Sequence, residues 1–385
     1  MISFRIGAIF VAMSAFSLPL TAVQAEARMD MADCADTALE GEVYICRDEI
    51  DADWAQDAIA RRDGYAPHVE RRDDRLLVVV RSEHETTRLC CSIQEPMVRI
   101  DDDHFAAQFR LRDLDEAHLF FINFGATSDD LTSTFIGPQG RPQVEMRDLE
   151  GTVHDLEIES AAHGETRRVI LYLPPDFDPD TPFALLTLMD GGNAPHTAHS
   201  LEPLMAAGRL PPVVILGIVS GADAIIPRPD YDFEVRNADY LPGHHQETDR
   251  FAAHLSFVVD EALPLTLVRF EGREPFEHII AGYSSGAAFA HEAAMRRPEA
   301  FTGALVMSRG YRLEFEPGED VAHIRFRLSA GLYETRFRDR TRAAAQALRE
   351  AGLDVRYTDY PDGHSPRLRE FSIVDGLLEL LGEEE

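Results

Sequence analysis

Short runs of alternating apolar and polar residues fill the first third of the chain. Residues 104–113 (HFAAQFRLRD) place apolar side chains such as Phe105 on one face and polar ones such as Gln108 on the other. This period of two predicts a half-buried strand. Residues 75–83 (RLLVVVRSE) form a compact β-branched run of strand length. Turn-forming residues separate such runs, so the pattern predicts a small β-sandwich-like domain over residues 26–150.

The pattern changes near residue 151, where apolar strand-like runs begin to alternate with helical periodicity. Such alternation predicts an α/β fold, with a mostly parallel sheet covered by helices on both faces. The predicted second domain therefore spans residues 151–385. Its strand-like runs cover residues 167–174, 183–190, 212–220, 278–282, 303–308, 324–331 and 354–361. Its helical patterns cover residues 249–263, 285–296, 338–351 and 367–381.

The first 25 residues do not read as part of either domain. Arg5 precedes an apolar run that ends at the small-residue sequence Val23-Gln24-Ala25. This order is typical of a secretory signal peptide and predicts a periplasmic or secreted protein. A membrane anchor is the alternative, but Pro19 within the run and the cleavage-like site favour export. No later run reaches the length of a membrane span, so we expect no span in the mature protein.

The four cysteines, Cys34, Cys46, Cys90 and Cys91, agree with export. An even number in an exported protein predicts two disulfides, for which three pairings are open. Adjacent residues on a strand point to opposite faces, so we expect Cys90 and Cys91 to bond elsewhere rather than to each other. A zinc site is the alternative, but the paired CxxC spacing that it needs is missing.

The net charge of −31 limits the partners of this protein. Such an acidic surface disfavours nucleic acids and anionic membranes. The charge does not choose among enzymes, so the chemistry has to come from motifs.

A serine between two glycines is the first candidate for chemistry. Gly282 and Gly286 flank Ser284, with a strand-like run before it and an alanine-rich helical run after it. A strand–serine–helix turn of this kind is typical of a nucleophile elbow, in which small residues permit a strained backbone. The alternative is a tight turn without chemistry. The strand and helix on either side favour the catalytic interpretation.

A serine nucleophile needs a base and an acid, which follow it in the order serine, acid, histidine in this kind of fold. His364 comes after the last strand and before the last helix, at the carboxyl edge of the sheet where sites gather. His323 precedes a strand and is expected at the opposite edge. Glu334, just after a strand, is the predicted acid, and Asp339 is the second choice.

An oxyanion intermediate needs hydrogen-bond donors. The N–H of Ser285, next to the nucleophile, is one predicted donor. The second is expected from the turn after an early strand, where Asp190 and Gly191 precede Gly192. We further predict that the substrate contacts Asp190, Gly191, Tyr283 and Arg236.

The C-terminal half resembles the esterase family of α/β hydrolases, which includes enterochelin esterases, S-formylglutathione hydrolase, feruloyl and acetylxylan esterases and mycolyltransferases. The likeness covers roughly residues 165–366. It is carried, in the family's order, by VILYLPPDF, LLTLMDGGN, VVILGIVS, RNADYLPG, FVVDEALPL, IIAGYSSGAAFA, GLYET and DGHS. The resemblance implies that Ser284 is the nucleophile, Glu334 the acid, His364 the base and Gly192 the second oxyanion donor. It implies neither a metal nor a cofactor.

The two-domain plan looks most like enterochelin esterases, but two features depart from them. The stretch from Gly192 to Pro195 lacks the bulky and aromatic residues usual after the Asp-Gly turn, and Ser365-Pro366-Arg367 replaces an aromatic-rich stretch. The negative net charge is also wrong for steering an anionic ferric catecholate. Arginines near predicted loops could compensate, namely Arg228, Arg236, Arg309, Arg312 and Arg336.

We therefore expect an exported serine esterase that acts on a small-molecule or glycan-linked ester, such as a siderophore ester. A feruloyl or acetylxylan type of carbohydrate esterase is the alternative, and an acyltransferase would use the same residues. A hydrolase-fold binding protein without activity is the alternative from another class. The oligomeric state is left open.

Overall fold

The computed structural model describes residues 31–126, 131–142, 147–220, 233–244, 249–311 and 320–382. The predicted signal peptide, residues 1–25, lies outside the described residues, as do Arg228 and Arg312. Met31–Glu385 form one unit by their internal contacts. The predicted boundary near residue 150 therefore stays a prediction.

In the described part of the N-terminal region, the chain forms two antiparallel sheets and one helix. The first sheet has the order β1–β6–β3–β2 with β5 beside β6, and the second has the order β4–β7–β8. The strands are β1 (Ile45–Arg47), β2 (His68–Arg72), β3 (Arg75–Arg81), β4 (Cys90–Cys91), β5 (Val98–Arg99), β6 (His104–Leu111), β7 (His118–Ile122) and β8 (Thr132–Ile136), and the helix is α1 (Ala52–Arg61).

The period of two explains how these sheets stack. Phe105 and Phe109 of β6 point into a core that they share with Phe121 of β7. The opposite face of β6 was predicted to be polar, yet Gln108 on that face is 1% exposed. It is buried because α1 covers this face, and its amide nitrogen donates to Asp48 at 3.0 Å.

The C-terminal region contains an eight-stranded sheet of order β16–β15–β14–β13–β11–β12–β10–β9. Strand β10 pairs antiparallel with β9 and β12, and the remaining pairs are parallel. The strands are β9 (Thr152–Ser160), β10 (Glu165–Leu173), β11 (Ala184–Met189), β12 (Val213–Ile218), β13 (Glu277–Tyr283), β14 (Gly303–Met307), β15 (Arg325–Gly331) and β16 (Asp354–Tyr360).

Helices cover both faces of this sheet, and each face has its own hydrophobic core. Phe257, Phe289 and Phe326 lie in the core on one face, and Leu201 and Leu377 in the core on the other. Burial on both faces is the reason why the central strands read as unbroken apolar runs. The helices are α2 (Ala194–Ala206), α3 (Phe233–Tyr240), α4 (Arg250–Ser256), α5 (Leu263–Arg269), α6 (Ser285–Arg296), α7 (Thr335–Glu350) and α8 (Pro366–Leu381). The α/β prediction is confirmed, and the arrangement is the α/β-hydrolase fold.

One helical run is long and apolar enough to cross a membrane by length and composition. It spans Arg250–Arg269, where a π-helical turn joins α4 to α5. Phe251, Phe257 and Val258 of this run pack in the core beside the sheet, as in a core helix. The expectation of no membrane span stays a prediction.

The disulfides correct one prediction from the sequence. Cys34 bonds to Cys46, but Cys90 bonds to Cys91, against the expectation that these two would bond elsewhere. The expectation assumed a trans peptide bond, which directs neighbouring side chains to opposite faces. The Cys90–Cys91 peptide bond is cis, and the two Cα atoms lie 3.0 Å apart, which lets the two sulfurs meet.

Candidate active site

Ser284 lies between β13 and α6 in a backbone conformation that non-glycine residues rarely adopt. Its φ is 59° and its ψ is −121°. Such a conformation costs about 1–3 kcal/mol and persists only where the surrounding structure imposes it. The Ser284 N–H donates to the carbonyl oxygen of Met307 at 2.9 Å, and its own carbonyl oxygen accepts from Ala287 at 3.1 Å. The strand, the turn and the helix thus impose the strained conformation of a nucleophile elbow.

The two glycines of the motif are needed for close approach. A Cβ atom on Gly282 would lie 2.0 Å from the carbonyl oxygen of Gly286. A Cβ atom on Gly286 would lie 3.2 Å from the Cβ of Met189 in β11. A side chain at Gly282 would therefore force the helix away from the strand.

His364 and Glu334 meet at the carboxyl edge of the sheet. The Nδ1 atom of His364 lies 2.6 Å from the Oε2 atom of Glu334. The Glu334 side chain is buried, with an exposed fraction of 1%, and the His364 side chain is partly buried, with an exposed fraction of 12%. An ionised carboxylate only accepts, so Nδ1 carries the proton and Nε2 is left as an acceptor.

The other carboxylate oxygen of Glu334 is also satisfied. Oε1 accepts from the Ser308 hydroxyl at 2.5 Å and from the Gly331 N–H at 2.6 Å. Asp339, the second choice for the acid, is exposed on α7. The geometry therefore pairs His364 with Glu334 and not with Asp339.

Two aromatic rings stack on the imidazole of His364. The Tyr283 ring lies 4.6 Å away at an interplanar angle of 26°, and the Phe337 ring lies 4.0 Å away at 22°. Tyr283 directly precedes Ser284, so this contact brings the histidine to the elbow. Among the described residues, no hydrogen bond joins the Ser284 hydroxyl to His364. Such bonds are often long before substrate binds.

The predicted oxyanion donors lie at the starts of two helical turns. Ser285 is the first residue of α6, and its N–H therefore has no acceptor within the helix. Gly192 lies in a short 3₁₀ turn that leads into α2, after Asp190 at a φ of 56°. A Cβ on Gly191 would lie 2.3 Å from the carbonyl carbon of Gly217, so the turn sits directly on β12.

Arg236 and Asp190, for which substrate contact stays a prediction, pair with each other. The Arg236 guanidinium donates to both carboxylate oxygens of Asp190 at 2.7 Å. It also donates to the carbonyl oxygen of Tyr283 at 3.2 Å. Since Arg236 is 6% exposed, the pair ties the Asp190 turn to the elbow.

Of the other arginines named from the sequence, Arg309 is 4% exposed and Arg336 is exposed on α7. Burial lowers the pKa of Arg309 to about 10, whereas the charge of Glu292 on α6 opposes that shift.

The loop that carries His364 rests on the N-terminal region. The His364 N–H donates to the carbonyl oxygen of Ser92 at 3.1 Å. A Cβ on Gly363 would lie 1.8 Å from that same oxygen. The Ser92 hydroxyl donates to Asp362 at 3.4 Å and accepts from the Phe120 N–H at 2.8 Å.

Asp362 is a second buried carboxyl group in this loop. It accepts from the Ser365 hydroxyl at 2.8 Å and from the Gly363 N–H at 2.6 Å. Burial raises the pKa of Asp362 well above its usual value, and the charge of Glu334 adds to the rise.

Two groups in the described ranges have metal-binding atoms close together: His163, Asp239 and His254, and Asp101, Asp103 and His104. In the first, Asp239 already pairs with Arg167 at 2.7 Å and with Arg250 at 2.8 Å. Two arginines beside the carboxylate disfavour a cation there. The second group is partly exposed and acidic, which is common without a metal.

Sequence reasoning missed four residues of this site. Ser308 could have been found as the first residue after β14. Ser92, Phe337 and Arg369 carry no such signal, because each reaches the site through packing between segments distant in sequence. Arg369, on α8, is 9% exposed.

The eight-stranded sheet and its helices define an α/β hydrolase. The family model described as Putative esterase matches residues 160–356, about half of the chain. The chain belongs to this family and is a carboxylic ester hydrolase. A comparison with curated proteins gave no match.

Solved structures similar to this chain include enterochelin esterases over nearly their whole length. Enterochelin esterase from Shigella flexneri aligns with a TM-score of 0.57 and 18% identity, covering 89% of this chain and 98% of that one. Ferric enterobactin esterase from Salmonella typhimurium gives a TM-score of 0.58 at 18% identity, covering 84% of this chain and 98% of that one. At such identities the likeness concerns the fold.

Proposed function

We propose that this protein is a serine esterase in which Ser284 is the nucleophile, His364 the base and Glu334 the acid. The observation that carries the proposal is the 2.6 Å hydrogen bond between His364 and Glu334, next to the strained turn at Ser284. An activated serine needs a base that is itself oriented by a third group.

Proton transfer follows from the tautomer that Glu334 imposes. With the proton on Nδ1, the free Nε2 of His364 takes the hydroxyl proton as Ser284 Oγ attacks the ester carbonyl carbon. The alkoxide leaves with that proton, and an acyl-enzyme remains. Water then attacks the acyl carbon and gives a proton to His364, and Ser284 is released with its own proton restored. Glu334 stabilises the imidazolium without taking its proton.

The Ser285 and Gly192 amides are the proposed oxyanion donors. Both belong to the first turn of a helical segment, where backbone N–H groups have no acceptor and the helix dipole favours negative charge. Removing one such donor typically costs about 10²–10³-fold in kcat.

Tyr283, Asp190 and Arg236 have positioning roles in this proposal. The Tyr283 ring packs on the imidazole, and the Asp190–Arg236 pair joins the oxyanion turn to the elbow. Gly191 has a similar role, since its contact with β12 fixes the turn that contains Gly192.

For the substrate, we propose a siderophore-type ester. The support is the fold shared with enterochelin esterases, including one whose structure was determined in the presence of enterobactin. Hydrolysis of a feruloyl or acetylxylan ester, or acyl transfer to another alcohol, would use the same residues. Fold likeness does not choose among these substrates.

We also propose that the protein is exported. Both cysteine pairs in the structure are disulfides, and disulfides persist in oxidising compartments such as the periplasm.

Hydrolysis of p-nitrophenyl acetate and butyrate tests the proposed reaction. We expect wild type to be active, and Ser284→Ala and His364→Ala to lose about 10³–10⁶-fold in kcat. Ser285→Ala is the matched control because it keeps the backbone amide and removes only a hydroxyl bonded to Asn237. Activity of Ser284→Ala near that of wild type would contradict the proposal.

A further inference from the structure

Arg369 lies near the candidate active site, on the helix that follows His364. It is in the first turns of α8, five residues after His364, and only 9% of its surface is exposed. We propose that Arg369 binds a carboxylate of the substrate, so that the enzyme prefers esters whose acyl or alcohol part is anionic. This inference rests on the proposed function and adds the substrate's charge to it.

The first observation is that Arg369 has no partner of its own. Among the described residues, its guanidinium makes neither a hydrogen bond nor an ion pair. A charge that is nearly buried and has no partner is unfavourable for folding. Charged groups whose pKa is shifted by burial cluster at functional sites, where a ligand can supply the missing partner.

The second observation is that the acids around Arg369 are already occupied. Asp190 is bound through both oxygens by Arg236. Glu370, the next residue along the helix, accepts from Ser200 at 2.7 Å and pairs with Arg367 and His196. The positive charge of Arg369 is therefore not neutralised by an ion pair with either of these acids.

The third observation is which groups act electrostatically on Arg369. Burial lowers the pKa of its guanidinium most. Asp190, Tyr283 and Glu370 raise it, and the like charge of Arg236 lowers it further. Asp190 begins the turn of the proposed oxyanion donor, and Tyr283 immediately precedes Ser284. Arg369 is therefore close enough to both segments to interact with them electrostatically, and an arginine keeps its charge in such surroundings.

Arg309, which is also buried, differs in this respect. Its Nε and Nη2 atoms are enclosed and have no partner within the described ranges, and the charges that act on it are those of Glu292 and Arg340 rather than of residues at the elbow. A ligand could not reach those two nitrogens without opening the structure.

The chemistry of a guanidinium defines the ligand. Its planar N–H groups match the two oxygens of a carboxylate and form charge-assisted hydrogen bonds with both. Bringing such a group to Arg369 would supply the missing counter-charge while the ester lies near Ser284.

Two matched ester pairs test the inference. Mono-p-nitrophenyl adipate against p-nitrophenyl methyl adipate places the carboxylate on the acyl side. p-Acetoxybenzoate against methyl p-acetoxybenzoate places it on the alcohol side. The readout is the ratio of kcat/KM for the charged ester to that for its neutral partner.

We expect wild type to prefer the charged member of at least one pair. Arg369→Gln should lower kcat/KM for that ester by about 10–100-fold, the usual worth of a charged hydrogen bond, and change the neutral ester little. Arg369→Lys keeps the positive charge but loses the planar pair of N–H donors. It should therefore retain part of the preference for the charged ester. Arg273→Gln is the control for net charge, since Arg273 is an exposed partner of Asp180.

The outcomes separate this inference from the proposed function. If wild type and Arg369→Gln hydrolyse both members of each pair with the same ratio, Arg369 only balances nearby charge and the inference is wrong. Hydrolysis of neither member by folded wild type would overturn the proposed function as well. Should Arg369→Gln fail to fold, free adipate and p-hydroxybenzoate serve as competitors of neutral-ester hydrolysis in wild type. Absence of competition by both would then overturn the inference.

Discussion

Ser284 and His364 are fixed by different regions of the molecule. Ser284 depends on contacts within the eight-stranded sheet, where its N–H bonds to Met307 of β14 and Gly286 packs on Met189 of β11. The His364 loop depends on the N-terminal region, where Ser92 accepts from His364 and the His118 N–H donates to Pro361 at 3.0 Å.

The acid shows the same dependence as the base. Tyr333, which directly precedes Glu334, packs in the N-terminal core, and its hydroxyl donates to the carbonyl oxygen of Arg112 at 2.8 Å. The hydrolase fold alone therefore positions the nucleophile, whereas the N-terminal region also helps to position the acid and the base. The N-terminal region can therefore influence catalysis without touching the substrate.

The largest expected effect concerns the acid. Glu334→Gln leaves the packing intact but removes the charge that orients and stabilises the imidazolium. We expect a loss of about 10³–10⁴-fold in kcat on p-nitrophenyl acetate. Asp339→Asn is the matched control and should keep wild-type activity, because Asp339 is exposed on α7. A large loss in Asp339→Asn instead would assign the acid to that residue.

The next effect tests the contact between the two regions. In Gly363→Ala, the new Cβ would lie 1.8 Å from the Ser92 carbonyl oxygen and push the His364 loop away. A shift of about 1 Å in a catalytic group can cost about 10²-fold in kcat, and we expect KM to change little.

Gly376→Ala is the steric control for that variant. Its Cβ would lie 2.7 Å from a side-chain carbon of Leu305, away from the His364 loop. It should lower thermal stability while keeping kcat. Equal losses of kcat in both glycine variants would mean that general strain, not the loop, is responsible.

A smaller effect is expected for Ser92→Ala. This change keeps the carbonyl oxygen that binds His364 but removes the hydroxyl that bridges Phe120 and Asp362. One hydrogen bond is worth about 1 kcal/mol, so we expect a loss of about 5–10-fold in kcat. Ser82→Ala removes a hydroxyl in the same region that accepts from the His84 N–H at 3.1 Å, and should not change kcat.

The smallest effect concerns stability in acid. Both ring nitrogens of His118 are buried without a partner among the described residues, and the ring meets Phe371 edge-on at 5.9 Å. Burial lowers the pKa of His118 from 6.5 to about 4, nearby Arg367 lowers it further, and Glu370 opposes the shift.

Between pH 6.5 and about pH 4, His118 is therefore protonated in the unfolded chain but neutral in the folded protein. Stability from this group is complete above pH 6.5 and is lost as the pH falls towards 4. His118→Phe should flatten the fall of unfolding free energy across that window, as measured by urea denaturation. An unchanged pH dependence would show that His118 is not buried as a neutral ring.

The sequence predicted what depends on local pattern. The helix over residues 285–296 begins and ends where α6 does, because small residues and helix formers follow a turn that only glycines permit. Strand β9 was missed because this edge strand, TVHDLEIES, is largely polar and none of its residues before Ser160 is buried. The Cys90–Cys91 disulfide was missed because it depends on a peptide geometry that the pattern of residues does not predict.

In the candidate site, too, some residues could be predicted from local sequence pattern and others could not. Ser284, Glu334 and His364 follow strands of a parallel sheet, so their order along the chain predicted a common edge. Arg369 and Ser92 were not predicted, because the partners of a side chain depend on which distant segments pack beside it. A sequence shows that an arginine exists but not that it lacks an acid.

Covalent labelling by a fluorophosphonate, followed by mass spectrometry of the digested protein, tests directly whether Ser284 is the nucleophile. We expect one adduct per folded chain, on the peptide that contains Ser284, with labelling abolished in Ser284→Ala and strongly slowed in His364→Ala. Labelling of folded Ser284→Ala at the wild-type rate, or an adduct on a different residue of the wild type, would contradict that assignment.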